Sequence, residues 1–389
     1  MIDPFLPTEE RIFFAMKTLS TLILAVFLLS LLSCDNQRST IKKFNQPALT
    51  AEPSPVQAIE PDSVCIAAVG DLMLGTSYPG LQNLPPDSGI NSFKAVLPEL
   101  KKADITFGNL EGTLADTCIH PASFKLHQRS KAYLFRMPKN YVKVLNDAGF
   151  NVLSLANNHS YDFGDPGLKS TISTLDSNGI HYAGLRSHPS SIFTIKGIKY
   201  GFCAFAPNSQ TVSIHDLKQA AQIIKDLKQQ CDIVIVSFHG GGEGAAFEHI
   251  PFKNESFVGE NRGDVYAFAH NAIDAGADVI LGNGPHVSRA MEVYHKRLIA
   301  YSLGNFCTYR SVSVLGVCGM APLLKIYINK KGEFLNGHII SFVQSHDKGL
   351  ERDTLNRVVN RIKMLTETDF PQPSVKITPA GEILPADKS

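Results

Sequence analysis

Carboxylates, carboxamides and imidazoles recur in this chain directly after apolar runs: Gly70-Asp71, Asn109-Leu110-Glu111, Asn157-Asn158-His159, His239 and His286. The runs before them, such as Val64-Cys65-Ile66-Ala67-Ala68-Val69 and Ile233-Val234-Ile235-Val236, read as buried strands. Polar groups at strand ends cost desolvation unless something pairs with them, and this mixture of donors suits a divalent ion. A metal or phosphoester site is the expectation. Glycine ahead of Asp71 lets the chain turn and leaves the carboxylate at the carboxyl edge of a sheet, where α/β proteins gather their sites. The imidazole of His159, beside two carboxamides, suits an acid toward a leaving group. The set as a whole fits one or two ions of the manganese, iron or zinc type better than calcium.

The elements that must position these groups alternate. Val64 to Val69, Ile105 to Gly108, Val152 to Ala156, Tyr200 to Phe205, Ile233 to Phe238 and Val279 to Gly282 read as strands. Ser92 to Lys102, Lys139 to Ala148, Gly167 to Asn178, Ile214 to Lys228 and Asp264 to Ala275 carry helical spacing between them. This is an α/β layer pattern. After Gly282 the strand candidates crowd together, at Met291 to Tyr294, Arg297 to Ser302, Leu323 to Ile328 and Gly337 to Val343, which predicts mixed sheets with antiparallel late strands. Leu350 to Leu365 reads as a closing helix, and the last twenty or so residues as a loosely packed tail.

At 389 residues, with 44% hydrophobic and 19% charged residues, the chain can bury a full core. A formal net charge of +1 gives no basic excess for a nucleic acid backbone, so no nucleic acid partner is expected. Lys17 and the apolar run Leu19 to Leu32 read as the start of a signal peptide that ends at Leu31-Leu32-Ser33-Cys34, a sequence resembling a bacterial lipobox. The expected organisation is a signal segment 1–34, with Met16 as an alternative start, a flexible linker 35–61, a main domain 62–345 and a C-terminal helix and tail 346–389. Lipid on Cys34 would anchor an exported protein to a membrane of the bacterial cell envelope. The other six cysteines are dispersed and show no C-x-x-C pair, so neither a disulfide framework nor a thiolate zinc site is expected.

In order and spelling the motifs resemble the CapA family, the capsule and poly-γ-glutamate biosynthesis proteins of the calcineurin-like metallophosphoesterase superfamily. The resemblance runs from about Val64 to Val343 through Ala68 to Leu74, Gly108 to Gly112, Ala156 to Gly164, Phe238-His239-Gly240, Gly282 to Val287 and Tyr301-Ser302-Leu303-Gly304-Asn305-Phe306. It implies a four-layer α/β fold of mixed sheets flanked by helices. By similarity Asp71, Glu111, Asn158, His239 and His286 are candidate metal ligands and His159 the candidate acid. Asn109, Asn157 and Asn283 are placed on the substrate side, with Glu243 and Arg262 from the glycine-rich segment, where Arg262 suits a phosphate or a carboxylate-rich polymer. Glu255, Glu260, Asn261 and Arg289 lie in or near the same segments and read equally well as surface ion pairs.

Two departures from the family pattern stand out. Met73 occupies a place where the superfamily usually has histidine, and Asn283 another where many relatives have it. A thioether and a carboxamide are poorer ligands than imidazole for such ions, which reduces the expected metal complement. The implied role is in synthesis of an anionic cell-surface polymer, alongside other capsule-synthesis proteins. Three chemistries remain open: a metal-dependent phosphoesterase-like hydrolase, a non-catalytic polymer-binding assembly or export factor, and an amide hydrolase acting on a glutamyl polymer.

Overall fold

All ten residues of strand β1 (Val64–Met73) are buried, as an apolar run covered on both faces requires. The computed structural model describes residues 63–386 apart from 124 and 126–132; the expected signal segment, Cys34 and the linker lie outside the described residues. After β1 come α1 (Leu97–Leu100), β2 (Ile105–Leu110), β3 (Thr113–Leu114), β4 (Arg136–Met137), α2 (Tyr141–Ala148), β5 (Val152–Ser154), α3 (Gly164–Asp176) and β6 (His181–Ala183). The middle of the chain forms β7 (Ser190–Ile195), β8 (Ile198–Phe205), α4 (Leu217–Lys228), β9 (Ile233–His239), β10 (Glu255–Phe257), β11 (Glu260–Gly263), α5 (Val265–Asp274) and β12 (Val279–Asn283). The last part adds β13 (Met291–Tyr294), β14 (Arg297–Ala300), β15 (Asn305–Thr308), β16 (Met320–Ile328), β17 (Phe334–Ser345), β18 (Gly349–Arg352), α6 (Arg357–Asp369), β19 (Val375–Ile377) and β20 (Glu382–Pro385).

Two mixed sheets result. The larger runs β19-β20-β17-β16-β1-β2-β5-β6, with β15 beside β1 and β18 beside β17; the smaller runs β13-β14-β12-β9-β8-β7. Between them Ile66 and Phe107 of the large sheet share one core with Phe202, Ile235 and Leu281 of the small one. On the outer face of the large sheet Leu145 of α2 and Leu175 of α3 pack with Val69 and Leu153. On the outer face of the small sheet Ile224 of α4 and Phe268 of α5 pack with Val236 and Ile280. Helix, sheet, sheet, helix is the expected four-layer order.

Helix starts follow local chemistry. Asp216 accepts a bond from the Gln219 N–H and Asp264 one from the Ala267 N–H, each at 2.9 Å, capping α4 and α5. The expected helix Ser92 to Lys102 shrinks to α1: Pro98 sits in its first turn, and the residues before it bury Phe93 and Val96 through successive turns instead. Cys65 and Cys203 pack as buried small hydrophobes in β1 and β8.

The C-terminal expectation is corrected. The closing helix runs from Arg357 to Asp369, behind the extra strand β18, because Asp353 accepts the Arg357 N–H at 2.6 Å and starts the helix there. The final residues are no loose tail: β20 pairs with β17 and β19 with β20. Val375, Ile377 and Ile383 are buried while Lys376 is exposed, a period-two pattern that extends the large sheet.

Candidate metal centre and cleft

Four strands bring a glycine followed by Asp or Asn to one place: Gly70-Asp71 in β1, Gly108-Asn109 in β2, Gly282-Asn283 in β12 and Gly304-Asn305 at the start of β15. Beyond Ala68, β1 leaves its antiparallel partner β16 and pairs in parallel with β15, so Asp71 stands opposite Asn305 on one side and Asn109 on the other. In the small sheet Asn283 stands opposite His239. The glycine at 70 is a spatial requirement: a Cβ there would fall 1.9 Å from the Gly304 carbonyl oxygen. Its absence lets the Asp71 N–H reach that carbonyl at 2.9 Å.

His286, just past β12, adopts a left-handed backbone with φ 58°, a conformation that costs a non-glycine residue on the order of 1–3 kcal/mol and recurs at functional sites. The strain delivers the imidazole to Asp71 and Glu111. These three residues each place one ligand atom within 4.8 Å of the others. His286 Nδ1 lies 2.9 Å from Asn305 Oδ1 and 3.1 Å from Asp71 Oδ2. The Asn305 amide nitrogen donates to the Ser313 and Cys318 carbonyls at 3.2 Å each, so its oxygen must face the imidazole and accept the Nδ1 proton. Nε2 is left facing Glu111 Oε1 at 3.7 Å and Glu243 Oε2 at 4.0 Å.

Behind this group lies a brace of amides. Asn109 Nδ2 donates to Asp71 Oδ1 at 2.7 Å and meets His239 Nδ1 at 3.3 Å, while Asn157 Nδ2 donates to Asn109 Oδ1 at 3.1 Å. His239 therefore reaches the cluster through Asn109 and stands outside the tight threesome. Among the described residues, no hydrogen-bond partner reaches Asp71 Oδ2, either Glu111 oxygen, Asn158 Oδ1, His239 Nε2 or Asn283 Oδ1. Buried acceptors left bare are costly, and the carboxylate and imidazole atoms of Asp71, Glu111 and His286, within 4.8 Å of one another, are donors that a divalent cation binds. The residues present fit such an ion.

Electrostatics tell the same story. Burial pushes the Glu111 carboxyl up to about 7 although the His286 imidazole pulls it down. Burial would lower His286, but the Glu111 and Asp71 carboxylates outweigh it and carry the imidazole up to about 10. His239, buried with Arg262 and His286 as cationic neighbours, is held well below the ordinary imidazole range.

His159 lies on the wall of the adjoining cavity, stacked on Phe135 with ring centroids 4.1 Å apart. Its Nδ1 is 2.8 Å from Asp162 Oδ2, and Asp162 is fixed by the Phe135 N–H at 2.9 Å and by Lys125 Nζ at 3.0 Å. A carboxylate only accepts, so Nδ1 carries the proton and Nε2 is the nitrogen open to a ligand. Asn157 Oδ1 accepts the His159 N–H at 3.0 Å.

The substrate-side expectations divide. Glu243 and Arg262 line the cavity, as does Asn157, although the amide of Asn157 is consumed by the brace. Asn109 is sealed beneath the site as a strut, and Asn283 turns its Nδ2 toward Ser237 Oγ at 3.3 Å and the Leu281 carbonyl at 3.4 Å. Register with neighbouring strands decides where these amides point. Glu255 and Arg289 form a buried two-pronged pair at 2.8 and 2.7 Å rather than a surface one. Sequence reasoning missed Asp162 and Asn305 as working residues; the repeated Gly-Asx spelling at Gly304-Asn305 was the available signal for the second.

Comparison with known proteins places these features. The family pattern described as "Bacterial capsule synthesis protein PGA_cap" matches residues 65–310. The chain is 30% identical over 276 residues to "Capsule biosynthesis protein CapA" of Bacillus anthracis, across 65% of this chain and 62% of that protein. It is 29% identical over 273 residues to "PGA biosynthesis protein CapA" of Bacillus subtilis (strain 168), across 66% of each. The match thus spans just under two thirds of these relatives' length. Among solved structures, a 5'-nucleotidase precursor from Thermus thermophilus aligns with 72% of this chain and 54% of its own, at 12% identity and a TM-score of 0.39.

Proposed function

The chain belongs to the bacterial capsule synthesis protein family, and from that premise we propose that it serves the making of an anionic cell-surface polymer as a metal-dependent, phosphoesterase-like hydrolase. The observation that carries the reading is that Asp71, Glu111 and His286 each place a ligand atom within 4.8 Å of the others, with both Glu111 oxygens buried and lacking a hydrogen-bond partner among the described residues. Asp71, Glu111 and His286 would hold the ion, with Asn158 and His239 completing the donor set. Ligands of this mixture suit manganese, iron or zinc. A bound ion supplies Lewis acidity, which activates water and offsets charge developing on an ester oxygen.

The protein's own residues do the rest. Asn305 fixes the His286 ring so that Nε2 faces the carboxylates, and Asn109 holds Asp71 in place. Asp162 orients His159 so that Nε2 faces the cavity, where it can hand a proton to a leaving oxygen. Elemental analysis of the full chain, with turnover of a generic phosphoester with and without added manganese, tests this. Metal uptake and turnover, both lost in Asp71→Asn, are expected. A wild-type protein that takes up no divalent ion would sink the reading.

A second reading, a polymer-binding assembly or export factor without hydrolysis, is favoured by two observations. Met73, buried in β1, stands where the family resemblance expects a histidine, and the Asn283 amide nitrogen bonds inward. Metal uptake without turnover of phosphoester or γ-glutamyl amide would select it. The envelope location, with a lipid on Cys34 and other capsule-synthesis proteins as partners, belongs to the same proposal and is supported by the apolar run that Cys34 ends. Cys34→Ala remaining in the membrane fraction in unchanged amount would overturn the anchor.

A further inference from the structure

Three arginines end differently. Arg289 spends both terminal nitrogens on Glu255, and Arg361 grips Glu248 with Nε and Nη2. Arg262, on β11 and only 1% exposed, places Nη1 3.0 Å from Glu243 Oε1 and 3.6 Å from Glu260 Oε2. Among the described residues its Nε and Nη2 have no hydrogen-bond partner. Those two N–H groups form one edge of the guanidinium, the edge that matches two oxygens of a carboxylate or a phosphate and that Arg361 already uses on Glu248.

The position suits a ligand. Arg262 lines a cavity of about 620 Å³ together with His159, Glu243 and Glu260. Glu243 ties the guanidinium to the metal centre, since its second oxygen lies 4.0 Å from His286 Nε2. We infer that Arg262 anchors an oxyanion group of the substrate, carboxylate or phosphate, one carboxylate away from the Asp71, Glu111 and His286 group and on the same cavity as His159. Nε and Nη2 are shielded from solvent in this arrangement; Glu260, with half its side chain exposed, meets the guanidinium at Nη1, at 3.6 Å, and competes with the oxyanion for its charge. The inference rests on reading the cleft as the substrate site and does not require the metal.

Calorimetric titration of the full chain, stripped of metal with a chelator, with inorganic phosphate and separately with glutarate, tests the anchor. One of the two probes should bind, which also identifies the oxyanion, and Arg262→Lys should weaken it about tenfold or more because an ammonium cannot present the two-pronged edge. Glu260→Gln changes only a half-exposed side chain and should tighten binding about threefold by removing a competing charge; it keeps the test decisive if Arg262→Lys does not fold. The proposal is overturned if neither probe binds the wild type, if Glu260→Gln leaves affinity unchanged, or if binding appears only with added manganese and vanishes in Asp71→Asn. Because the titration is done without metal, failure of the hydrolase reading would leave its outcome intact.

Discussion

Two acidic side chains, Glu111 after β2 and Asp353 before α6, are equally hidden from water, at 0% and 2% exposure. Their surroundings are opposite. Asp353 accepts bonds from Ser341 Oγ at 2.7 Å, the Arg357 N–H at 2.6 Å and Arg357 Nε at 2.9 Å. These outweigh burial and hold its carboxyl below the ordinary range. Glu111 has no hydrogen-bond partner among the described residues and is pushed up to about 7, chiefly by burial. A structural carboxylate brings its own donors; one kept for a ligand leaves its oxygens bare and makes the empty state costly.

The sharpest way to break this comparison is Glu111→Gln. Divalent metal affinity, measured by calorimetry with manganese, should fall at least about 100-fold, while the metal-free protein melts no lower than wild type. A large loss of metal-free stability would show that Glu111 is structural after all. Asn305→Ala comes next. Freed from its carboxamide, the His286 ring loses its fixed orientation, and manganese affinity should drop about 10- to 100-fold. Unchanged affinity in a folded Asn305→Ala protein would remove Asn305 from the site.

Asp353→Asn probes the other pole and should cost about 1.5 kcal/mol at neutral pH by chemical denaturation, with no effect on metal affinity. The pH dependences sharpen the contrast further. A carboxyl lowered in the folded state, as at Asp353, contributes stability that is present above its unfolded value near 3.8 and is lost as pH falls. Glu111 carries the opposite sign: its contribution is complete below 4.5 and is lost as pH rises through about 7. His286 adds to the same trend, with stability complete below 6.5 and lost as pH rises through about 10. The metal-free protein should therefore melt progressively lower from about pH 5 to pH 9, and Glu111→Gln should flatten the lower half of that slope. A flat wild-type profile would contradict the isolation of Glu111.

Much of this was legible in the chain itself. Continuous apolar runs marked the buried strands β1, β2, β5, β8, β9 and β12, and polar residues at their ends marked the edge that carries Asp71, Glu111, Asn158 and His239. Strands β6, β7 and β15 were not read, being short or half-exposed, and β19 and β20 were hidden among prolines although Val375, Lys376 and Ile377 alternate as an edge strand does.

What local pattern fixes is which residues are hidden and which end of a strand they occupy, because burial and backbone period are properties of short segments. What only tertiary structure decided is who faces whom. Asn283 and Asn305 follow glycine in the same way, yet strand register turns one amide toward Ser237 and sets the other against His286. Arg262 and Arg289 sit in similar glycine-rich surroundings, and only the packing of the β10 and β11 hairpin gives Arg289 a complete partner in Glu255 while leaving one edge of Arg262 unmet. Such differences arise between segments far apart in sequence, where direction and distance are set by the whole fold.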